Sequence, residues 1–74
     1  MSNPVEGRYA NYFKIGHNAF ELIIDFGQCY GEKEEITLHT RIVTSPAYGK
    51  ELLNALRQSL EENEKLYGSN ERKV

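Results

Sequence analysis

Phe20-Glu21-Leu22-Ile23-Ile24-Asp25-Phe26, followed after a polar interval by Ile36-Thr37-Leu38-His39-Thr40-Arg41-Ile42-Val43, decides the fold. In the first stretch Phe20, Leu22, Ile24 and Phe26 share one parity and the acidic residues take the other. Side chains alternate across an extended chain, so this pattern predicts a half-buried strand. The second stretch puts Ile36, Leu38 and Ile42 on one face and His39, Arg41 and Val43 on the other, a β-branched, half-polar strand. Upstream, Tyr9-Ala10-Asn11-Tyr12-Phe13-Lys14-Ile15 assigns Tyr9, Phe13 and Ile15 to one face and Tyr12 and Lys14 to the opposite one. Three such runs in succession predict an antiparallel meander.

The turns suggest a register. A short connection over Gly16-His17-Asn18-Ala19 pairs Ile15 with Phe20, Phe13 with Leu22, Asn11 with Ile24 and Lys14 with Glu21. Gly27 to Glu35 holds two glycines and the run Glu32-Lys33-Glu34-Glu35, so it reads as a solvated loop. Pairing Phe26 with Ile36 then sets Glu21 against Arg41. A shift by two residues would keep the same faces.

At Ser45-Pro46 the period changes. Ser45 suits the cap and Pro46 the first helical position, where the missing amide hydrogen has no partner to lose. Leu52, Leu53, Leu56 and Leu60 recur at three-to-four spacing, with Tyr48 and Tyr67 near the ends and Lys50, Arg57, Gln58, Glu61, Glu62 and Lys65 between. The spacing predicts an amphipathic helix of about six turns, ending with Gly68 just beyond its cap. The fold class is therefore α+β, three antiparallel strands and one long C-terminal helix in a single small domain. Its ordered core runs from about residue 8 to about residue 68, between short flexible termini.

Seventy-four residues with a single cysteine allow no intramolecular disulfide, and a lone core of this size is worth only about 3 to 5 kcal/mol. The net charge of −2, with both signs interspersed, gives no bulk attraction to phosphate backbones or anionic membranes. No apolar run approaches the roughly 18 residues needed to span a bilayer, and no signal peptide is recognisable, so a cytoplasmic location is expected.

Self-association has the best physical support. One helix covers one face of a three-stranded sheet, while the other face carries Tyr12, Ile23 and Val43 among its charges. A helix of about 33 Å also exceeds a seven-residue strand of about 23 Å, which leaves Leu60, Leu66 and Tyr67 as candidate contacts with a second copy.

The stretches Tyr9-Ala10-Asn11-Tyr12-Phe13, Ile15-Gly16-His17-Asn18, Phe20-Glu21, Asp25-Phe26-Gly27-Gln28 and His39 to Pro46 resemble a family of small prokaryotic proteins, the domain of unknown function DUF3467. Leu52-Leu53, Ala55-Leu56 and Tyr67-Gly68 continue the likeness, which covers nearly the whole chain except its termini. The resemblance implies a compact domain and brings no catalytic residue or cofactor with it.

The chemical candidates are sparse. Asp25 beside His39 and Arg41 is the most reactive grouping, since a histidine oriented by an acid can act as a base, but no nucleophile accompanies it and cross-strand charge pairing is the commoner use. His17 lies in a tight connection. Cys29 with His17 or His39 falls short of the three or four ligands a metal needs. The glycines lack phosphate-loop spacing, and Asp25-Phe26-Gly27-Gln28 reads as the start of a turn.

The expectation is a non-enzymatic, cofactor-free, homo-oligomeric module that binds a protein or peptide. Its interaction face comprises Tyr12, Lys14, Glu21, Ile23, Asp25, His39, Arg41 and Val43. The alternative is a nucleic-acid-binding β-ribbon using Lys14, His39 and Arg41, disfavoured by the acidic balance.

Overall fold

In the computed structural model, residues 4–33 and 35–71 are described. Glu34 and the outermost residues of both expected flexible termini lie outside that range. The element order is β1 (Tyr12–His17), β2 (Leu22–Tyr30), a 3-10 turn (Gly31–Lys33), β3 (Glu35–Thr44) and α1 (Pro46–Glu71). The strands form one antiparallel sheet in the order β1-β2-β3, so the chain is α+β with the expected meander. Residues up to Thr44 form one compact unit and those from Ser45 onward another.

Both hairpins differ in register from the expectation. Ile15 faces Ile24 and Phe13 faces Phe26, four residues along from the predicted partners. Asn18 causes this shift. Its side-chain Oδ1 accepts the backbone N–H groups of Phe20 at 2.9 Å and Glu21 at 2.8 Å, and its own N–H donates to the Glu21 carbonyl at 3.0 Å. An asparagine that closes its own turn in this way moves the connection to residues 18–21. Phe20 consequently leaves the strand and is 84% exposed at the hairpin tip. Because the shift is even, the core parity of β1 and β2 survives.

The expected loop after Phe26 is also shorter. Gly27 to Tyr30 continue β2 because they find partners in Leu38, Thr37, Ile36 and Glu35, and the chain turns at Gly31 with a φ of +36°. That left-handed conformation is one glycine adopts without steric cost.

β3 carries a bulge. Phe26 faces Thr40, but Gly27 faces Leu38, so His39 is an extra residue on β3. An inserted residue acts as a one-residue slip for everything beyond it. Ile42 keeps the predicted face, beside Ile24, whereas Leu38 and Ile36 pass to the opposite face, beside Gly27 and Cys29. The uniform alternation predicted for residues 36 to 43 thus breaks in the middle.

The two sheet faces follow from this register. One is aromatic and aliphatic, with Phe13, Ile15, Leu22, Ile24, Phe26 and Ile42 in adjacent rows. Phe13 and Phe26 meet edge to face, with ring centroids 5.6 Å apart, a geometry that sets one ring's positive edge against the other's negative face. The other face carries a central charged row, Lys14-Asp25-Arg41, between apolar rows. Among the described residues, Ile24 at 7% exposure is the one buried hydrophobic side chain.

The helix starts as the sequence predicts. Ser45 Oγ accepts the Tyr48 N–H at 3.1 Å and the Ser45 carbonyl accepts the Gly49 N–H at 2.9 Å, with Pro46 in the first turn. It does not stop at Gly68. The element continues to Glu71, and the Glu64 side chain lies over Gly68 closely enough that an added Cβ there would sit 3.1 Å from it. With 26 residues α1 is about 39 Å long, against about 33 Å for the ten-residue β3. The length excess expected from a seven-residue strand therefore shrinks.

Candidate functional site

The charged sheet face is built on three rows of residues held in register by β2. Lys14 faces Asp25, and Asp25 faces Arg41. Arg41 donates from Nε to Asp25 Oδ1 at 2.7 Å and from a terminal nitrogen to Oδ2 at 2.9 Å. This is a two-pronged pairing, whose planar geometry fits guanidinium to carboxylate. Asp25 is 5% exposed, while the Arg41 side chain stays open to solvent. The hydrogen bonds from Arg41 hold the Asp25 carboxyl below its ordinary range against the opposing effect of burial. The positive charges of Arg41 and Lys14 push in the same direction. In return the carboxylate raises the pKa of Arg41.

On one side of the charged row lie Gly16, Ile23 and Val43; on the other lie Tyr12, Gly27 and Leu38, with Cys29 and Ile36 beyond. Gly27 is buried, and an added Cβ would sit 3.0 Å from Leu38 Cδ2, so the leucine side chain covers the space a side chain at 27 would need. The face is thus a strip of neutralised charge flanked by aliphatic groups.

Of the eight residues predicted for the interaction face, the register brings together Tyr12, Lys14, Ile23, Asp25, Arg41 and Val43. Glu21 does not join them. It lies in the β1–β2 connection, where its carboxylate accepts from Asn18 Nδ2 at 3.1 Å. His39 does not join Asp25 either, because the bulge removes it from the regular alternation and Arg41 occupies the carboxylate. The His39 ring instead contacts Thr40 Oγ1 at 2.7 Å and the Tyr9 carbonyl at 3.1 Å. A carbonyl only accepts, so Nε2 carries the proton in the neutral ring and Nδ1 accepts from the Thr40 hydroxyl. The acid-oriented histidine considered from sequence is not formed.

Leu38, Ile36 and Cys29 belong to this face and periodicity alone missed them. A glycine inside a strand is the one signal that pointed to them, since it marks bulges and close backbone approach. Cys29 is half-buried within β2 rather than in a loop. Its backbone is clamped by Asn11, whose Oδ1 accepts the Cys29 N–H at 2.7 Å and whose Nδ2 donates to the Cys29 carbonyl at 3.3 Å. With the Asn11 N–H bound to the Gly27 carbonyl at 3.0 Å, the side-chain amide stands in for one further peptide unit of β1. Asn11 therefore extends the ladder past the end of the strand, rather than opposing Ile24.

A shallow cleft of about 340 Å³ opens on the sheet unit between Glu6, Arg8, Ala10, Phe26, His39 and Thr40. Its one ion pair, Arg8 with Glu6 at 3.9 Å, is solvent-exposed and of the kind that contributes little. Among the described residues no group of three or more His, Cys, Asp and Glu side chains converges as a metal site. His17 lies at the end of β1 opposite Leu22. No described helix is long and apolar enough to cross a membrane.

The helix unit presents Leu53, Leu56 and Leu60 as an open apolar strip bordered by Arg57, Glu61, Glu64 and Lys65. Leu60, Leu66 and Tyr67, the predicted oligomer contacts, are 62%, 70% and 53% exposed.

A family model described as a protein of unknown function (DUF3467) matches residues 2–71 of the chain. No curated protein and no solved structure shows significant similarity to it.

Proposed function

We propose that this chain, which belongs to the family described as protein of unknown function (DUF3467), acts as the subunit of a cytoplasmic, homo-oligomeric polypeptide-interaction module without catalytic activity. The observation that carries this reading is the two-sided apolar character of the sheet. Phe13, Ile15 and Ile42 lie on one face, and Ile23, Val43, Leu38 and Ile36 on the other. One helix with one apolar stripe can cover at most one face of a sheet, so a second apolar surface is left for another chain. The bulge strengthens the argument, because it adds Leu38 and Ile36 to the face that already holds Ile23 and Val43.

Strand addition is the mode such a sheet offers to an extended polypeptide. β3 is a ten-residue edge strand, and an incoming strand would gain main-chain hydrogen bonds while its alternate side chains met the two faces. The nucleic-acid reading has less support. Arg41 directs two of its donors to Asp25, and the carboxylate offsets one of the two cations in its row.

Light scattering across a concentration series tests the oligomeric part. A stable dimer or larger species is expected at micromolar concentration, and Ile23→Asp should shift it toward monomer while Glu32→Lys leaves it unchanged. A monomer throughout, or equal behaviour of the two variants, removes the argument for an associating sheet face.

A further inference from the structure

We propose that α1 pairs antiparallel with α1 of a second copy, about a two-fold axis near Leu60. The inference rests on the oligomeric reading above and names the surface and the partner.

The helix carries one continuous apolar stripe. At about 100° per residue, Leu53, Leu60, Tyr67, Leu56, Leu52 and Leu66 spread over roughly 140° of the helix surface. Leu53, Leu56, Leu60, Leu66 and Tyr67 are each more than half exposed, and the edge of the arc at Leu53 and Leu60 is bordered by Arg57 and Glu64.

Charge selects the partner and its direction. The first half of α1 carries Lys50 and Arg57 against Glu51, and the second half Glu61, Glu62 and Glu64 against Lys65. That polarity runs against the helix dipole, which favours anions at the N-terminus and cations at the C-terminus; the first turn holds no acid and the last turn no base. An antiparallel copy sets Arg57 and Lys50 in the basic half of each helix beside the acidic half of the other and opposes the two dipoles.

The spacing is self-complementary. Positions 57 and 64 are equidistant from a point just past Leu60, so a two-fold axis there brings each Arg57 to the Glu64 of the other copy, twice per dimer. The same axis sets the two Leu60 residues side by side and brings Leu56 level with Lys65 of the copy, whose methylene stem can lie over it. A parallel pair would set basic half on basic half and acidic half on acidic half.

Charge exchange in the full chain, read by sedimentation equilibrium, provides the test. Arg57→Glu and Glu64→Arg should each raise the dimer dissociation constant about ten-fold, because two attractive contacts become repulsive. The double variant should return it to within about two-fold of the parent. Direction is read separately by oxidative cross-linking in a Cys29→Ser background. Leu60→Cys should link two copies efficiently and Leu53→Cys should not, whereas a parallel pair would link both. A stable oligomer that ignores all three charge variants and cross-links at neither position would refute helix pairing and leave the oligomeric reading standing on the sheet. A parent chain that is monomeric throughout would refute both.

Discussion

Replacing Gly27 by alanine should destabilise the chain, and the same replacement at Gly16 should not. Both glycines lie on the charged sheet face, separated along β1 and β2 by the Lys14-Asp25 row. At Gly16 an added Cβ meets nothing within 4 Å. Alanine there recovers the conformational entropy that glycine loses on folding, so a gain of about 0.5 kcal/mol is expected. At Gly27 the Cβ would overlap the carbonyl oxygen of Thr37 and sit 3.0 Å from both Leu38 Cα and Leu38 Cδ2. Two of those atoms are backbone of the adjoining strand, held by the β2–β3 ladder, and cannot yield without disturbing the bulge. Overpacking of this kind costs about 1 to 3 kcal/mol, so after the entropic gain a net loss of about 1 to 2 kcal/mol remains. In a chain of this size, that lowers the melting temperature by roughly 5 to 15 °C. Urea titration followed by far-ultraviolet circular dichroism suits a chain without tryptophan. Protein concentration is held constant, because association adds to apparent stability. If Gly27→Ala proves as stable as the parent, Leu38 does not lie over Gly27, and the assignment of Leu38 and Ile36 to the charged face is wrong.

Acid should weaken the fold through Asp25. Its folded-state pKa is depressed, so its stabilising contribution is fully present above the unfolded value of about 3.9 and is lost as pH falls through the lower folded value. Asp25→Asn should melt lower than the parent at pH 7 and lose less on acidification, and parallel acid dependence of the two melts would contradict this assignment. Asn11→Ala should cost about 1 kcal/mol by removing two hydrogen bonds to the Cys29 backbone, and should speed amide exchange at Cys29. Unchanged exchange there would show that the amide clamp does not hold β2.

The elements were legible because alternation and helical spacing are local properties of the chain. Phe13 and Ile15 fall on the same face as Leu22, Ile24 and Phe26 under any even register shift, so their shared face followed from parity even though every predicted partner was four residues off. Ser45-Pro46 announced the helix start, because its cap bonds only to residues within one turn. The helix end was misread at Gly68, since a glycine may close a helix or simply lie within one, and the chain beyond it continues the helix to Glu71.

The candidate site was legible only in part. Lys14, Asp25, Arg41, Ile23, Val43 and Tyr12 share a face by alternation, but who pairs with whom depended on two contacts between distant or non-periodic groups. Asn18 reached forward to close its own turn and reset the first hairpin, which brought Lys14 to Asp25 and left Glu21 in the connection. The extra residue at His39 reversed the facing of Leu38 and Ile36, because Gly27 offers a neighbouring strand the space of a missing side chain. Sequence by itself determined the strands, the helix and its cap, and the parity of most core positions, all of which follow from the stereochemistry of one segment at a time. Tertiary structure decided register, the bulge and the composition of the charged face, because these depend on hydrogen bonds and close packing between segments that a one-dimensional period does not encode.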